Sequence, residues 1–233
     1  MTDSTNLRAI GDIHGEAEMF RQAVAGAGSV VLLGDLIDRG PDSPGVLRFA
    51  FGLIRDGQAR LVRSNHDDKL YRALMGRPVK MGAQLTRTME ALRAAPDYSA
   101  LISEFVDVFE AAPFVLQVGD YAFAHGAVDR RHFETPEDWA EKSGRHDAMA
   151  LYGEVNGDAD ADGKPIRRYA WVDTIPAGKT AVVGHDRRGG DRPLIHAGAM
   201  GGRAIFMDTG SGKGGPLSYI DLPAEEIGQV FPA

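Results

Sequence analysis

Apolar positions along this chain fall into short continuous runs and longer spaced runs, and the two kinds alternate. Leu7–Ile10, Ser29–Leu33 and Ala59–Val62 are short runs that read as strands. They end in Gly11-Asp12, Gly34-Asp35 and Ser64-Asn65-His66. Between the first two, Glu16–Ala25 carries Met19, Phe20, Ala23 and Val24 at helical spacing. After the turn Gly40-Pro41-Asp42-Ser43-Pro44, a second helix is expected. It places Val46, Leu47, Phe49, Ala50, Leu53 and Ile54 on one face. Strand–helix–strand repeats of this kind favour a parallel sheet with right-handed crossovers.

The middle of the chain changes period. Lys69–Met75, Ala83–Ala94 and Tyr98–Ala111 read as helices, punctuated by Pro78, Pro96 and Pro113. The stretch from about 70 to 112 is expected as a helical cap inserted in a single domain spanning residues 1–233. It carries Lys69, Arg72, Arg77, Lys80, Arg87 and Arg93. These form either a solvated helix face or a basic rim that guides an anionic substrate. Short strands then return at Phe114–Val118, Tyr121–Ala124, Thr180–Val183, Ala204–Met207 and Leu217–Ile220. Gly119-Asp120 reads as a tight hairpin turn. Glu154–Pro165 reads as a Gly/Asp-rich loop.

Composition narrows the chemistry. Of 233 residues, 43% are hydrophobic and 25% charged, which is a globular profile. A net charge of -7 argues against general nucleic-acid binding. The absence of cysteine excludes disulfides, thiolate metal sites and cysteine nucleophiles. Any metal must sit on His, Asp, Glu, Asn or carbonyl oxygen. Met1–Asn6 is polar and does not read as a signal peptide, and no apolar run approaches the ~20 residues of a membrane span. A cytoplasmic protein without a membrane or an obligate protein partner is the expectation.

Polar residues gather at the ends of the expected strands. Asp12 and His14 follow the first, Asp35, Asp38 and Arg39 the second, and Asn65, His66 and Asp67 the third. His125, His185 and Asp208 follow three later strands. In open α/β sheets the carboxyl ends of the strands form the ligand edge. Hard and borderline ligands without thiolate suit a two-metal centre, whose usual chemistry is phosphoester hydrolysis by a metal-activated water.

Gly11-Asp12-Ile13-His14-Gly15, Gly34-Asp35-Leu36-Ile37-Asp38-Arg39-Gly40 and Asn65-His66-Asp67 resemble the three signature motifs of the phosphoprotein phosphatase family. That family belongs to the calcineurin-like metallophosphoesterases. Ala124-His125-Gly126 and Gly184-His185-Asp186 resemble its later histidine motifs. Asp208-Thr209-Gly210 with Gly214-Gly215-Pro216-Leu217 resembles the closing motif of bacterial members. The motifs run from residue 11 to residue 217. The resemblance implies an α/β fold with two facing mixed sheets flanked by helices. It implies Asp12, His14 and Asp35 on one metal and Asp35, Asn65, His125 and His185 on the other. His66 would protonate the leaving oxygen, held by Asp38, and Arg39 would clamp the phosphate. Asp208 would lie nearby in a substrate or supporting role. The cofactors implied are two divalent ions, manganese first, with iron, zinc, nickel or magnesium as alternatives.

His66–Arg77 and Arg168-Tyr169-Ala170-Trp171 resemble the phosphatase module of bacterial polynucleotide kinase-phosphatase. This adds Arg168 as a second phosphate-facing arginine, with Arg167 adjacent. The closing motif also resembles that of the symmetrical dinucleoside tetraphosphatases. Ser64 stands where the family has Gly, Asp186 where it has Thr, and Gly126-Ala127 where Ala-Gly is commoner. The expected partner is a phosphorylated substrate. The leading reading is a phosphomonoesterase on phosphoprotein or small phosphates. The alternatives are a nucleic-acid-end or 2′,3′-cyclic phosphatase, a symmetrical dinucleoside tetraphosphate hydrolase and, last, a non-catalytic metal scaffold.

Several features are expected to be inert. His196 reads as a loop histidine, His132 and His146 as surface residues, and Trp139 and Trp171 as packing residues. Asp158–Gly163 imitates half a calcium loop, but its twelfth position is Tyr169 rather than Glu. Gly210-Ser211-Gly212-Lys213 imitates a nucleotide loop and reads as a glycine turn.

Overall fold

A computed structural model describes residues 6–133, 144–159 and 165–232. Trp139, the side chain of His146, and Asp160, Asp162 and Gly163 of the calcium-like run lie outside the described residues.

Two five-stranded sheets face each other. The first has the order β12-β11-β1-β2-β3, with β1 (Leu7–Ile10), β2 (Ser29–Leu32), β3 (Ala59–Leu61), β11 (Leu217–Leu222) and β12 (Glu226–Val230). β1, β2 and β3 are parallel, and β11 and β12 close the sheet in antiparallel fashion. The second has the order β4-β5-β8-β10-β9, with β4 (Val115–Val118), β5 (Tyr121–Ala124), β8 (Thr180–Val183), β9 (Leu194–Ala197) and β10 (Arg203–Phe206). Here β5, β8 and β10 are parallel and both edges are antiparallel. A separate hairpin pairs β6 (Glu154–Ala159) with β7 (Pro165–Arg168). The chain is thus an α/β protein with two mixed sheets flanked by helices.

The central parallel strands are mostly apolar because both faces are buried. Val31 and Leu33 point into the layer between the sheets, where they meet Phe123, Val182, Ile205 and Met207. Their neighbours Val30 and Leu32 point the other way, into a core built with the helices. Ala122, Ala124, Ala181 and Val183 face a third cluster around Trp171 and Phe206. Period-two alternation therefore splits one hydrophobic run between two cores.

The helices behind the first sheet are α1 (Ala17–Val24), α2 (Ser43–Arg55), α3 (Asn65–Leu74), α4 (Ala83–Ala94) and α5 (Tyr98–Ala111). α2 starts where its signals say: Asp42 accepts a bond from the Gly45 amide and Pro44 lies in the first turn. The segment expected as a cap does not sit on top of the domain. Leu85, Met89 and Leu92 of α4 and Leu101, Phe105 and Phe109 of α5 join Leu32, Leu47 and Phe51 in one cluster. A short helix, α6 (Gly144–Tyr152), precedes the hairpin.

Three expectations are corrected, at Glu154–Pro165, His196 and His132. Glu154–Pro165, read as a loop, includes β6 and the first residue of β7. The calcium-like run, expected to be inert, starts at the end of β6, so a strand rather than a helix leads into it. His196 sits in the edge strand β9, paired with Ala204, rather than in a loop. His132, expected at the surface, is buried in a short 3-10 turn, with its ring nitrogen 2.9 Å from the Asp129 amide. Trp171 packs as expected, edge-on to Phe206.

Candidate metal centre

The carboxyl ends of the parallel strands in both sheets converge on Asp35. Its side chain is buried, with Oδ2 3.2 Å from His14 Nε2 and Oδ1 3.4 Å from His125 Nε2. The same carboxylate accepts the His66 amide at 3.1 Å. Asp12 Oδ2 lies 3.8 Å from His14 Nε2, and Asp12 also accepts the His185 amide at 2.9 Å. Asn65 Oδ1 is 2.8 Å from His125 Nε2, and His185 Nδ1 is 3.1 Å from the same nitrogen. Two candidate ligand sets share Asp35: His14, Asp35 and His66, and Asp35, His125 and His185.

Hydrogen bonds fix the imidazole tautomers. His14 Nδ1 donates to the Ile37 carbonyl and His125 Nδ1 to the Leu33 carbonyl, each at 2.9 Å. A carbonyl can only accept, so in each neutral ring Nε2 keeps its lone pair and faces the cluster. His66 Nδ1 lies 2.6 Å from Asp38 Oδ2, which turns its Nε2 inward as well. Asp38 is itself held, since Thr88 Oγ1 donates to Oδ1 at 2.6 Å and its amide donates to Ser43 Oγ at 3.1 Å.

The backbone is strained at these residues. His14, Asp35, Asp38, Arg39 and His185 all have φ between 48° and 71°, and Glu225 is the one other such non-glycine residue among those described. Positive φ in non-glycine residues is costly and concentrates at sites where surrounding structure over-determines the geometry. Gly184 meets a different demand: a Cβ there would stand 2.2 Å from Asp12 Oδ1.

Charge is unevenly distributed. Burial and the neighbouring carboxylates Asp208 and Asp35 hold Asp12 well above the usual carboxyl range. Burial opposes ionisation of Asp35, but the electrostatic interactions with His125, His66 and His14 outweigh it and hold that carboxyl well below the range. Burial likewise opposes the charge of Asp38, and bonds from His66 and Thr88 win. Burial lowers His125, and burial with His125 and Arg167 lowers His185 further, which favours the neutral form of both rings. Imidazole nitrogens, a central carboxylate and no thiolate fit divalent Mn, Fe, Zn or Mg. The residues present therefore fit a two-ion centre.

Two arginines enter the cluster. Arg39 bonds to His14 Nε2 and has Nη2 3.5 Å from His66 Nε2. Arg167 Nη2 lies 2.7 Å from His185 Nε2. The Nε of each is buried without a hydrogen-bond partner among the described residues. Arg168, expected to face the phosphate, does not: its side chain is 57% exposed and nearest to Asp158, at 4.0 Å. Along β7 successive side chains alternate, so Ile166 and Arg168 point out and Arg167 points in. Asp208 is buried, caps the Gly210 amide at 2.9 Å and adds to the negative field on Asp12. It touches no other member of the cluster through a hydrogen bond among those described.

Sequence reasoning missed the residues that brace the centre. Ser64 adopts an extended backbone (φ −131°, ψ 167°) that serine takes without strain. Its Oγ accepts the Asp35 amide and donates to Asp67 Oδ2, both at 2.7 Å. Asp67 in turn accepts the Leu36 amide, and burial and Asp35 push its carboxyl up to about 7. Asp186 accepts from the Tyr169 hydroxyl and lies 4.0 Å from Arg167. The departures at 64 and 186 are thus built into the bonding of the site.

Facing mixed sheets with Asp, Asn and His at their strand ends define a class of phosphoester hydrolase. Residues 6–186 match the model of the calcineurin-like phosphoesterases, and the chain belongs to that family and is a metallophosphoesterase. Among curated relatives, the asymmetrical bis(5′-nucleosyl)-tetraphosphatase PrpE of Bacillus subtilis is 34% identical over 86% of this chain and 78% of its own. A crystal structure provisionally described as a diadenosine tetraphosphatase superposes with a TM-score of 0.68 at 24% identity, covering 100% of this chain and 96% of the other. A serine/threonine phosphatase from Saccharomyces cerevisiae shares the fold at a TM-score of 0.64 and 15% identity, covering 100% and 81%. The resemblance had pointed to symmetrical tetraphosphatases and the polynucleotide kinase-phosphatase module, whereas the relative at this identity is of the asymmetrical kind.

Proposed function

We propose that this chain hydrolyses dinucleoside tetraphosphates asymmetrically, using two divalent ions with manganese first among them. The observation that carries this reading is the likeness to tetraphosphatase relatives, 34% identical over 86% of the chain. Support comes from the two arginines that enter the cluster, at His14 and His66 on one side and His185 on the other. A guanidinium fork suits phosphate oxygens, and a polyphosphate chain offers them in series.

Asp12, His14 and Asp35 would hold one ion, and Asp35, Asn65, His125 and His185 the other. When bound, the ions supply positive charge to the phosphate and lower the pKa of a water. The remaining work falls to side chains already in place. Arg39 and Arg167 orient the scissile phosphate between them. His66 keeps its Nδ1 proton on Asp38 and presents Nε2 to the leaving oxygen, where it donates a proton. Asp38, ionised and fixed by Thr88, stabilises the positive charge that makes His66 a donor.

Unequal cleavage of a four-phosphate chain yields a nucleoside monophosphate and a nucleoside triphosphate. The test is nucleotide analysis after incubating the Mn²⁺-loaded protein with diadenosine tetraphosphate. A phosphopeptide, a 3′-phosphorylated oligonucleotide, a 2′,3′-cyclic nucleotide and an aryl phosphate run alongside, with Asp12→Ala as the blank. Equal amounts of AMP and ATP are expected. ADP alone would restore the symmetrical reading. Phosphate from the phosphopeptide with no cleavage of the dinucleotide would restore the phosphomonoesterase, and turnover of nothing would leave a metal-binding scaffold.

A further inference from the structure

A cavity of about 240 Å³ opens beside the metal centre between the Arg39 turn and α4. Gln84, Arg87, Thr88 and Ala91 line one wall, and these positions are spaced i, i+3, i+4 and i+7, a single helical face. Arg39, which also reaches His14 and His66, lines the opposite wall. The register of that face is fixed by the centre itself, because Thr88 Oγ1 donates to Asp38 at 2.6 Å. No aromatic side chain lines the cavity, so its chemistry suits an anion rather than a nucleobase.

The basic residues of this region part company in the fold. Arg72 bonds to the Pro78 carbonyl, and Arg77 lies over the Tyr71 ring at 5.4 Å. Arg87 forms no hydrogen bond or ion pair among the described residues and lines the cavity. Among the described residues, none offers that cation a charged partner.

We infer that the α4 face carrying Gln84 and Arg87 is a second phosphate subsite. It binds the phosphate next to the scissile one and so selects polyphosphate substrates over phosphomonoesters. The inference rests on the nucleoside-polyphosphate reading given above. It makes Arg87 a specificity-determining residue, with Arg39 shared between the two phosphates.

The experiment compares two inhibitors of aryl phosphate hydrolysis by the Mn²⁺-loaded chain, tripolyphosphate and orthophosphate. Arg87→Ala is expected to raise the tripolyphosphate inhibition constant about tenfold and the orthophosphate constant less than about twofold. Arg87→Lys should recover much of the difference. Arg93→Ala, which removes the same charge from α4 away from the cavity, should leave both constants as they are. The ratio of kcat/KM for diadenosine tetraphosphate over the aryl phosphate should fall with Arg87→Ala in the same proportion. Equal shifts for both inhibitors, or an Arg93→Ala effect as large as that of Arg87→Ala, would overturn the subsite. If the wild type failed on diadenosine tetraphosphate, the substrate reading would fall, and the tripolyphosphate comparison would still judge the subsite separately.

Discussion

The two sheets contribute unequally to the centre. The ends of β1, β2 and β3 supply Asp12, His14, Asp35, Asn65 and His66 on turns that brace one another locally. His14 Nδ1 bonds to Ile37 O, the Asp35 amide to Ser64, the Leu36 amide to Asp67 and the Asp38 amide to Ser43. The second sheet supplies His125 and His185, and these are steered from the first: His125 Nδ1 bonds to Leu33 O and the His185 amide to Asp12. One half is braced by its own turns, while the other is held by hydrogen bonds from across the sheet interface. The site is therefore a product of the interface between the sheets as much as of either sheet.

Asp35 comes from the first half but is shared by both candidate ligand sets, so removing its charge should break the comparison most completely. Asp35→Asn is expected to lower turnover on the order of a thousandfold or more. It should also deplete both ions together, measured by elemental analysis of the purified protein. Loss of one ion alone would show that the halves bind independently.

His66→Ala touches the first half only. Both ions should remain, and turnover of an alkyl phosphate should fall on the order of a hundredfold or more. Turnover of a polyphosphate should fall less, since its leaving group needs less help from an acid. Equal turnover by mutant and wild type on the alkyl ester would remove His66 from the proton-donor role.

The second half is sharpened by a pair of neighbours. Arg167→Ala should lower kcat/KM about tenfold or more, the loss of a charge-assisted contact. Arg168→Ala, on the outward face of β7, should stay within about twofold. A reversed order would mean that the β7 register differs in the working enzyme.

The smallest effect concerns the bracing of the first half. Asp67 has a folded pKa of about 7, above its ordinary value of 3.8, because of burial first and Asp35 second. The folded state therefore holds a proton that the unfolded chain has lost. Its contribution is full below about pH 4, falls as the pH rises towards 7 and is flat above. In metal-free protein, the wild type should lose stability relative to Asp67→Asn as the pH rises across that window, measured by urea midpoints. A difference independent of pH would refute the shift.

How legible each part was follows from its burial. β1, β5, β8, α4 and α5 have the expected bounds, because the core fixes the strands on both faces and the helices along one stripe. β9 and β12 were not foreseen. Both are edge strands carrying polar residues or glycine, so no apolar run marks them. α3 starts at Asn65 rather than Lys69, since its first turn is given to Asn65 and His66 and carries no hydrophobic signal. The convergence of Asp12, His14, Asp35, Asn65, His125 and His185 was legible from their places after strands. The choice between Arg167 and Arg168 was not, because it depends on the pleat of a hairpin that the Gly/Asp-rich sequence concealed.

The bond from Thr88 to Asp38 has a consequence for protein engineering. It pins α4 to the reacting turn at one residue, while positions 84, 87 and 91 on the same face touch the cavity without that duty. If the α4 face is the second phosphate subsite, the reaction and the choice of substrate are written on separable letters of one helix. A library that holds Thr88 fixed and varies the other three should retune preference while leaving the hydrolytic apparatus standing, which makes α4 an exchangeable reading head on a constant engine.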